Sequence, residues 1–112
     1  VRRVFYPGLE SHPDHGVAQA QMSGFGGVVS FDIEGDLARA RAFIHALRLP
    51  YLAPSLGGVE SLVSHPATVS YSDLDRDERL RIGITDELIR YSVGIEDADD
   101  IITDLEQALE AI

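Results

Sequence analysis

Arg90 interrupts an apolar run, Leu88-Ile89-Arg90-Tyr91-Ser92-Val93-Gly94-Ile95, that has the composition of a β-strand. Strand alternation would place Ile89, Tyr91, Val93 and Ile95 on one face and Leu88, Arg90, Ser92 and Gly94 on the other. One face is bulky, and the other is nearly empty around a guanidinium. Burying an unpaired charge is costly, whereas a guanidinium with small neighbours has room for a planar, bidentate anion such as a carboxylate. Two partners are open: an acid of the chain itself, or the carboxylate of a ligand. With 19 Asp and Glu residues available, spacing alone favours the internal ion pair.

A second stretch of chemical interest is Ser55-Leu56-Gly57-Gly58-Val59-Glu60-Ser61. Paired glycines permit a tight backbone path and close approach to a ligand, and Ser55 with the neighbouring amides is suited to donate to an anion. A hairpin-like turn explains the same residues equally well. No G-x-S-x-G elbow is present, so nucleophilic serine chemistry is not implied. The glycines of Ser23-Gly24-Phe25-Gly26-Gly27 precede a strand instead of opening a helix, which makes them a turn and not a phosphate cradle. His12 and His15 lie three apart beside Glu10 and Asp14, but Pro13 between them argues for a helix start and surface hydrogen bonding, not a metal site. His45 and His65 are isolated and read as structural.

Composition narrows the chemistry further. The chain has no cysteine, which excludes disulfides, thiolate metal sites and cysteine nucleophiles. All nine basic residues are arginines, so no side chain can form an imine with a carbonyl cofactor. A net charge of -10 argues against nucleic acid as a partner. No apolar run approaches the length of a membrane span, and a cytoplasmic location is the expectation.

The elements that must position these residues follow from periodicity and turn chemistry. Val4-Phe5-Tyr6 suits a short strand or linker, Asp14 to Met22 a short helix, and Val28 to Ile33 a strand. Gly35-Asp36 caps a helix in which Leu37, Ala40, Phe43 or Ile44, and Leu47 recur at helical spacing before Pro50. Tyr51-Leu52-Ala53 is short and apolar, and Ala67-Thr68-Val69-Ser70-Tyr71 is predicted as a strand. A charged helix is expected from Ser72 or Asp73 to Gly83. The last helix, about Asp97 to Ala111, carries an apolar stripe of Ile101, Ile102, Leu105, Ala108, Leu109 and Ile112, with its acids on a solvated face. The expected fold is α+β: one domain over residues 1–112, with a three- to four-stranded, mostly antiparallel sheet and helices packed on one face.

Taken together, Pro54 to Ala67 and Gly83 to Asp97 resemble the C-terminal domain of the pyridoxal-phosphate enzymes of cysteine and methionine metabolism, the trans-sulfuration family. Tyr6 to His15 and Gln21 to Gly27 match it as well, so the resemblance covers the whole chain. It implies the small domain of an aspartate aminotransferase-like fold that closes over an amino-acid substrate. On this resemblance Arg90 binds the substrate α-carboxylate, and Ser55, with Leu56 and Gly57 after it, lies beside the same group. The cofactor pyridoxal 5'-phosphate would belong to a larger domain of the same enzyme, which carries the imine-forming lysine, and the complete enzyme would be a homotetramer. Leu52-Ala53-Pro54-Ser55 and Met22 to Phe31 look most like the cystathionine γ-synthase type; γ-lyase and methionine γ-lyase types are the alternatives. Pro54 occupies a position that varies in the family with substrate choice. Two readings of other classes stand beside this one: a freestanding amino-acid-binding or regulatory module, and a structural interaction domain with an acidic face.

Overall fold

A computed structural model describes all residues 1–112. Five strands form one sheet in the order β1-β2-β5-β4-β3, with β1 Arg3–Phe5, β2 Val28–Asp32, β3 Tyr51–Leu52, β4 Leu62–Ser64 and β5 Leu88–Ser92. All neighbours are antiparallel except β3 and β4, which run parallel. The α-helices are α1 His15–Gln21, α2 Leu37–Ala46, α3 Arg76–Arg81 and α4 Ala98–Glu110.

Register explains where the core sits. Phe31 pairs with Ile89, and Val63 and Val29 flank Tyr91, so these large side chains share one face. Against it pack Ala40, Phe43 and Ile44 of α2 and Ile101 and Ala108 of α4. The buried cluster draws on no residue of α1 or α3, in keeping with helices on one face. Local chemistry sets the helix starts: Asp36 accepts from the Arg39 N–H at 2.9 Å, and Asp97 from the Asp99 N–H at 2.9 Å. Ile102, expected in the stripe of α4, is 51% exposed; its neighbour Ile101 takes the core position.

Two expectations about the middle of the chain are corrected. The sheet has five strands, and the segment that joins it is Leu62–Ser64, not Ala67 to Tyr71. Pro66 opens a 3-10 turn over Pro66–Thr68, the Val69 N–H bonds to His65 O at 3.1 Å and the Tyr71 N–H to Pro66 O at 3.0 Å. The backbone there is satisfied locally and has little left to offer a neighbouring strand. The charged helix also starts later than Ser72 or Asp73. Asp75 is its cap, accepting from the Glu78 N–H at 2.9 Å in a reciprocal capping box with Glu78.

One acid of α4 is not on a solvated face. Asp104 is buried and accepts the backbone N–H groups of Arg48 at 3.0 Å and Leu49 at 2.9 Å, which follow the end of α2, and the Gln107 amide at 3.0 Å. Gln107 also donates to Ala46 O at 2.7 Å, so α4 closes the end of α2. Asp104→Ala leaves two N–H groups unpaired and is expected to cost about 2 to 3 kcal/mol of stability, checked by urea unfolding.

Candidate functional site

The sheet face opposite the core is built around Arg90. Ser30 on β2 and Ser64 on β4 sit directly across from it, and Ser92 follows two residues on. Small polar neighbours in the central strands thus leave a shallow trough for one long, half-buried side chain. The guanidinium lies against the loop between β3 and β4, where Nη2 donates to Pro54 O and to Ser55 O, both at 2.7 Å.

No acid pairs with Arg90. The four ion pairs of the chain belong to Arg2, Arg76 and Arg79, so the internal salt bridge that spacing favoured is not formed. The nearby acids are committed elsewhere. Asp86 takes both Arg76 Nε and Arg79 Nη2 at 2.7 Å, and these two donors, Arg79 first, hold its carboxyl below the usual value. Asp32 accepts from the Thr85 hydroxyl at 2.9 Å, and Glu96 is occupied by Ser61. Two neutral carbonyls orient the guanidinium without neutralising it; Nη1 makes no hydrogen bond within the chain, and the buried Nε also lacks a partner. A full positive charge with two free donors can take a carboxylate.

The loop that cradles Arg90 also carries the other expected residues. Ser55, Leu56 and Gly57 are all exposed, and it is the Ser55 carbonyl, not its hydroxyl, that meets Arg90. Gly57 has φ +76°, a backbone conformation that disfavours side chains. Both ends of the loop are tied down: Tyr51 N–H to Ser61 O and Ala53 N–H to Val63 O, each at 3.0 Å. The far side is clamped to the residues after β5. Glu96 accepts the Ser61 N–H at 2.7 Å and the Ser61 hydroxyl at 2.8 Å, while Ser61 Oγ accepts the Gly94 N–H at 2.9 Å. A Cβ at Gly94 would collide with the backbone of Glu60 and Ser61, so only glycine permits this approach.

The Ser61–Glu96 tether was not legible as a contact in the sequence, although both residues lie in the segments that stand out there. It gives the loop a pH dependence. The hydrogen bond from the Ser61 backbone, ahead of other contacts, holds the Glu96 carboxyl below its ordinary value of 4.5. A carboxylate depressed in the folded state adds stability that is present above the unfolded value and is lost as pH falls through the folded one. Acidification below 4.5 is therefore expected to loosen the loop, seen as lower amide-exchange protection at Ser61 and Ile95 relative to the intrinsic rate at the same pH, and Glu96→Gln should flatten that dependence.

The histidines have structural partners. His65 Nε2 donates to Asp86 O at 2.8 Å, which leaves Nδ1 to accept from the Thr68 hydroxyl at 2.8 Å and joins the β4 end to the approach of β5. His15 Nδ1 donates to Pro7 O at 2.7 Å and stacks on Phe25, and His12 Nδ1 accepts the Asp14 N–H at 3.1 Å.

Comparison with known proteins settles the family. Residues 1–110 match the sequence pattern of the Cys/Met metabolism PLP-dependent enzymes. The chain belongs to that family. It is 54% identical over all 112 residues to the chloroplastic cystathionine γ-synthase 1 of Nicotiana tabacum and covers 21% of that protein. To the cystathionine γ-lyase of Bacillus subtilis it is 52% identical, again over its whole length and over 29% of the relative. The crystal structure of cystathionine γ-synthase from Xanthomonas oryzae pv. oryzae in complex with cystathionine superposes with a TM-score of 0.92 at 46% identity, covering 99% of this chain and 29% of that one. The chain thus spans between a fifth and a third of these relatives. Enzymes of this family depend on pyridoxal phosphate. These 112 residues contain no lysine to join it as an imine, so no step through the cofactor is assigned to their side chains. No helix is long and apolar enough to cross a membrane.

Proposed function

We propose that residues 1–112 are the C-terminal, substrate-clamping domain of a trans-sulfuration enzyme, and that Arg90 holds the α-carboxylate of its amino-acid substrate. The observation that carries this reading is a half-buried guanidinium with no acid partner, steadied by the carbonyls of Pro54 and Ser55 and retaining Nη1 for a ligand. Ser55, Leu56 and Gly57 form the wall beside that carboxylate. Fixing the carboxylate at one point lets the rest of the enzyme meet the substrate in a single orientation. Pyridoxal phosphate and its lysine come from a preceding domain of the same polypeptide, the complete enzyme is a homotetramer, and the expected location is cytoplasmic.

The reaction assigned is γ-replacement of an activated homoserine by cysteine, supported by identities of 54% and 55% to two plant cystathionine γ-synthases. A γ-lyase reading has its own support in the 52% identity to the Bacillus enzyme. The full-length protein, incubated with pyridoxal phosphate, an activated homoserine and cysteine, is expected to form cystathionine. Ammonia release from cystathionine or methionine, without synthesis, would assign it to the lyases instead. If neither occurs, the chain is an amino-acid-binding module and the enzymatic reading fails.

A further inference from the structure

Four buried side-chain atoms lack a hydrogen-bond partner, and three of them lie on the Arg90 face of the sheet: Arg90 Nε, Ser64 Oγ and Ser92 Oγ. The fourth, the Tyr91 hydroxyl, is on the helix-covered face. Ser64 is fully buried and Ser92 is 2% exposed, so neither hydroxyl can be satisfied by solvent. Register places Ser64 directly across from Arg90, and Ser92 follows Arg90 by two residues on the same strand, so both side chains share its face of the sheet. One donor without an acceptor and two hydroxyls without partners have thus been brought to the same place. Native interiors rarely leave such groups unpaired unless they serve a functional arrangement.

We infer that Ser64 and Ser92 are positioning residues that set the plane of the Arg90 guanidinium for carboxylate binding. One of the two hydroxyl oxygens accepts the single Nε–H, with the other hydroxyl donating to it, as the ligand draws Nη1 toward itself. The two carbonyls of the loop hold Nη2 in the free protein, a serine hydroxyl takes Nε–H once the carboxylate is bound, and Nη1 is left for the ligand. This rests on the proposal that Arg90 binds the substrate carboxylate. A fork held at Nε and at one Nη has a fixed plane, whereas one held at a single Nη can swing.

The test uses full-length enzyme with pyridoxal phosphate bound, and two probes, L-alanine and L-alaninamide, whose affinities are read from the cofactor absorbance. The double variant Ser64→Ala/Ser92→Ala is expected to bind L-alanine about tenfold more weakly, the scale of one hydrogen bond to a charged group, and L-alaninamide unchanged. Ser64→Thr and Ser92→Thr, which keep a hydroxyl, should retain the affinity for L-alanine and report on the site should the double variant not fold. Equal weakening of both probes, or no weakening of L-alanine, overturns the serine assignment. Arg90→Ala run alongside separates the two ideas: if it spares the preference for the carboxylate, the Arg90 proposal fails, and if it abolishes that preference while the serine variants do not, only the serine inference fails.

Discussion

Arg90→Ala in the full-length enzyme is expected to lower kcat/KM for the amino-acid substrate on the order of a hundredfold, about 2.7 kcal/mol of transition-state stabilisation. The size follows from what the side chain supplies. It is the arginine of the central strand, no carboxylate of the chain neutralises it, and its Nη1 has no partner. Removing it takes away a charge-assisted, geometrically defined contact and lets the substrate rotate away from its reactive orientation. Arg90→Lys should recover only part of the loss, because an ammonium keeps the charge but has no second nitrogen to offer the carboxylate while another is bonded to Pro54 O and Ser55 O. A loss below tenfold for the alanine variant would mean that the carboxylate is held elsewhere. The measurement is steady-state kinetics on both variants, with circular dichroism to verify the fold.

Phe43→Ala should unfold far more readily than the parent, by about 3 to 5 kcal/mol. Phe43 is fully buried on α2 and meets Phe31 of β2 edge to face at 5.7 Å between ring centroids. It sits where α2, α4 and the sheet converge, so truncation opens a cavity that rigid strands cannot close. The readout is the midpoint of urea unfolding. A loss under about 1 kcal/mol would show that the helix layer collapses into the gap, contrary to a core held by the sheet register. Arg90 lies on the other side of the same strands, so any activity change in the folded Phe43 variant should be small.

The elements that could be read from the chain are those whose side chains repeat with a clear period. β2, α2 and α4 show alternation or a helical stripe long enough to decide and fall within a residue or two of their expected places, whereas β5 starts at Leu88 as expected but ends at Ser92, leaving Val93 and Ile95 exposed beyond it. β4 has three residues, Leu62, Val63 and Ser64, all buried, and a strand buried on both faces has no alternation to reveal it. The apolar stretch Ala67 to Tyr71 looked more like a strand, but its backbone groups bond to His65 and Pro66, and Val69 and Tyr71 end up exposed.

The candidate site divides in the same way. Arg90 stood out because a charge in a strand with small neighbours is unusual, and Ser55 to Gly57 because paired glycines mark a close approach. Which group holds the guanidinium was a different matter. Local spacing pointed to an acid, while the fold brought Pro54 and Ser55 to it from 36 and 35 residues away. Asp104 under the end of α2 and Glu96 on Ser61 are pairings of the same kind.

From the sequence alone came the family resemblance, the absence of lysine and cysteine, the periodic elements and the suspicion attached to Arg90. Residue type and short-range periodicity suffice for these, because they depend on chemistry and on neighbours a few positions apart. The tertiary structure decided that Leu62–Ser64 and not Ala67 to Tyr71 pairs with β5, that no acid reaches Arg90, and that two buried serines flank it. Those outcomes depend on strand register and loop closure over tens of residues, and a shift of one residue in register would turn Arg90 to the opposite face of the sheet.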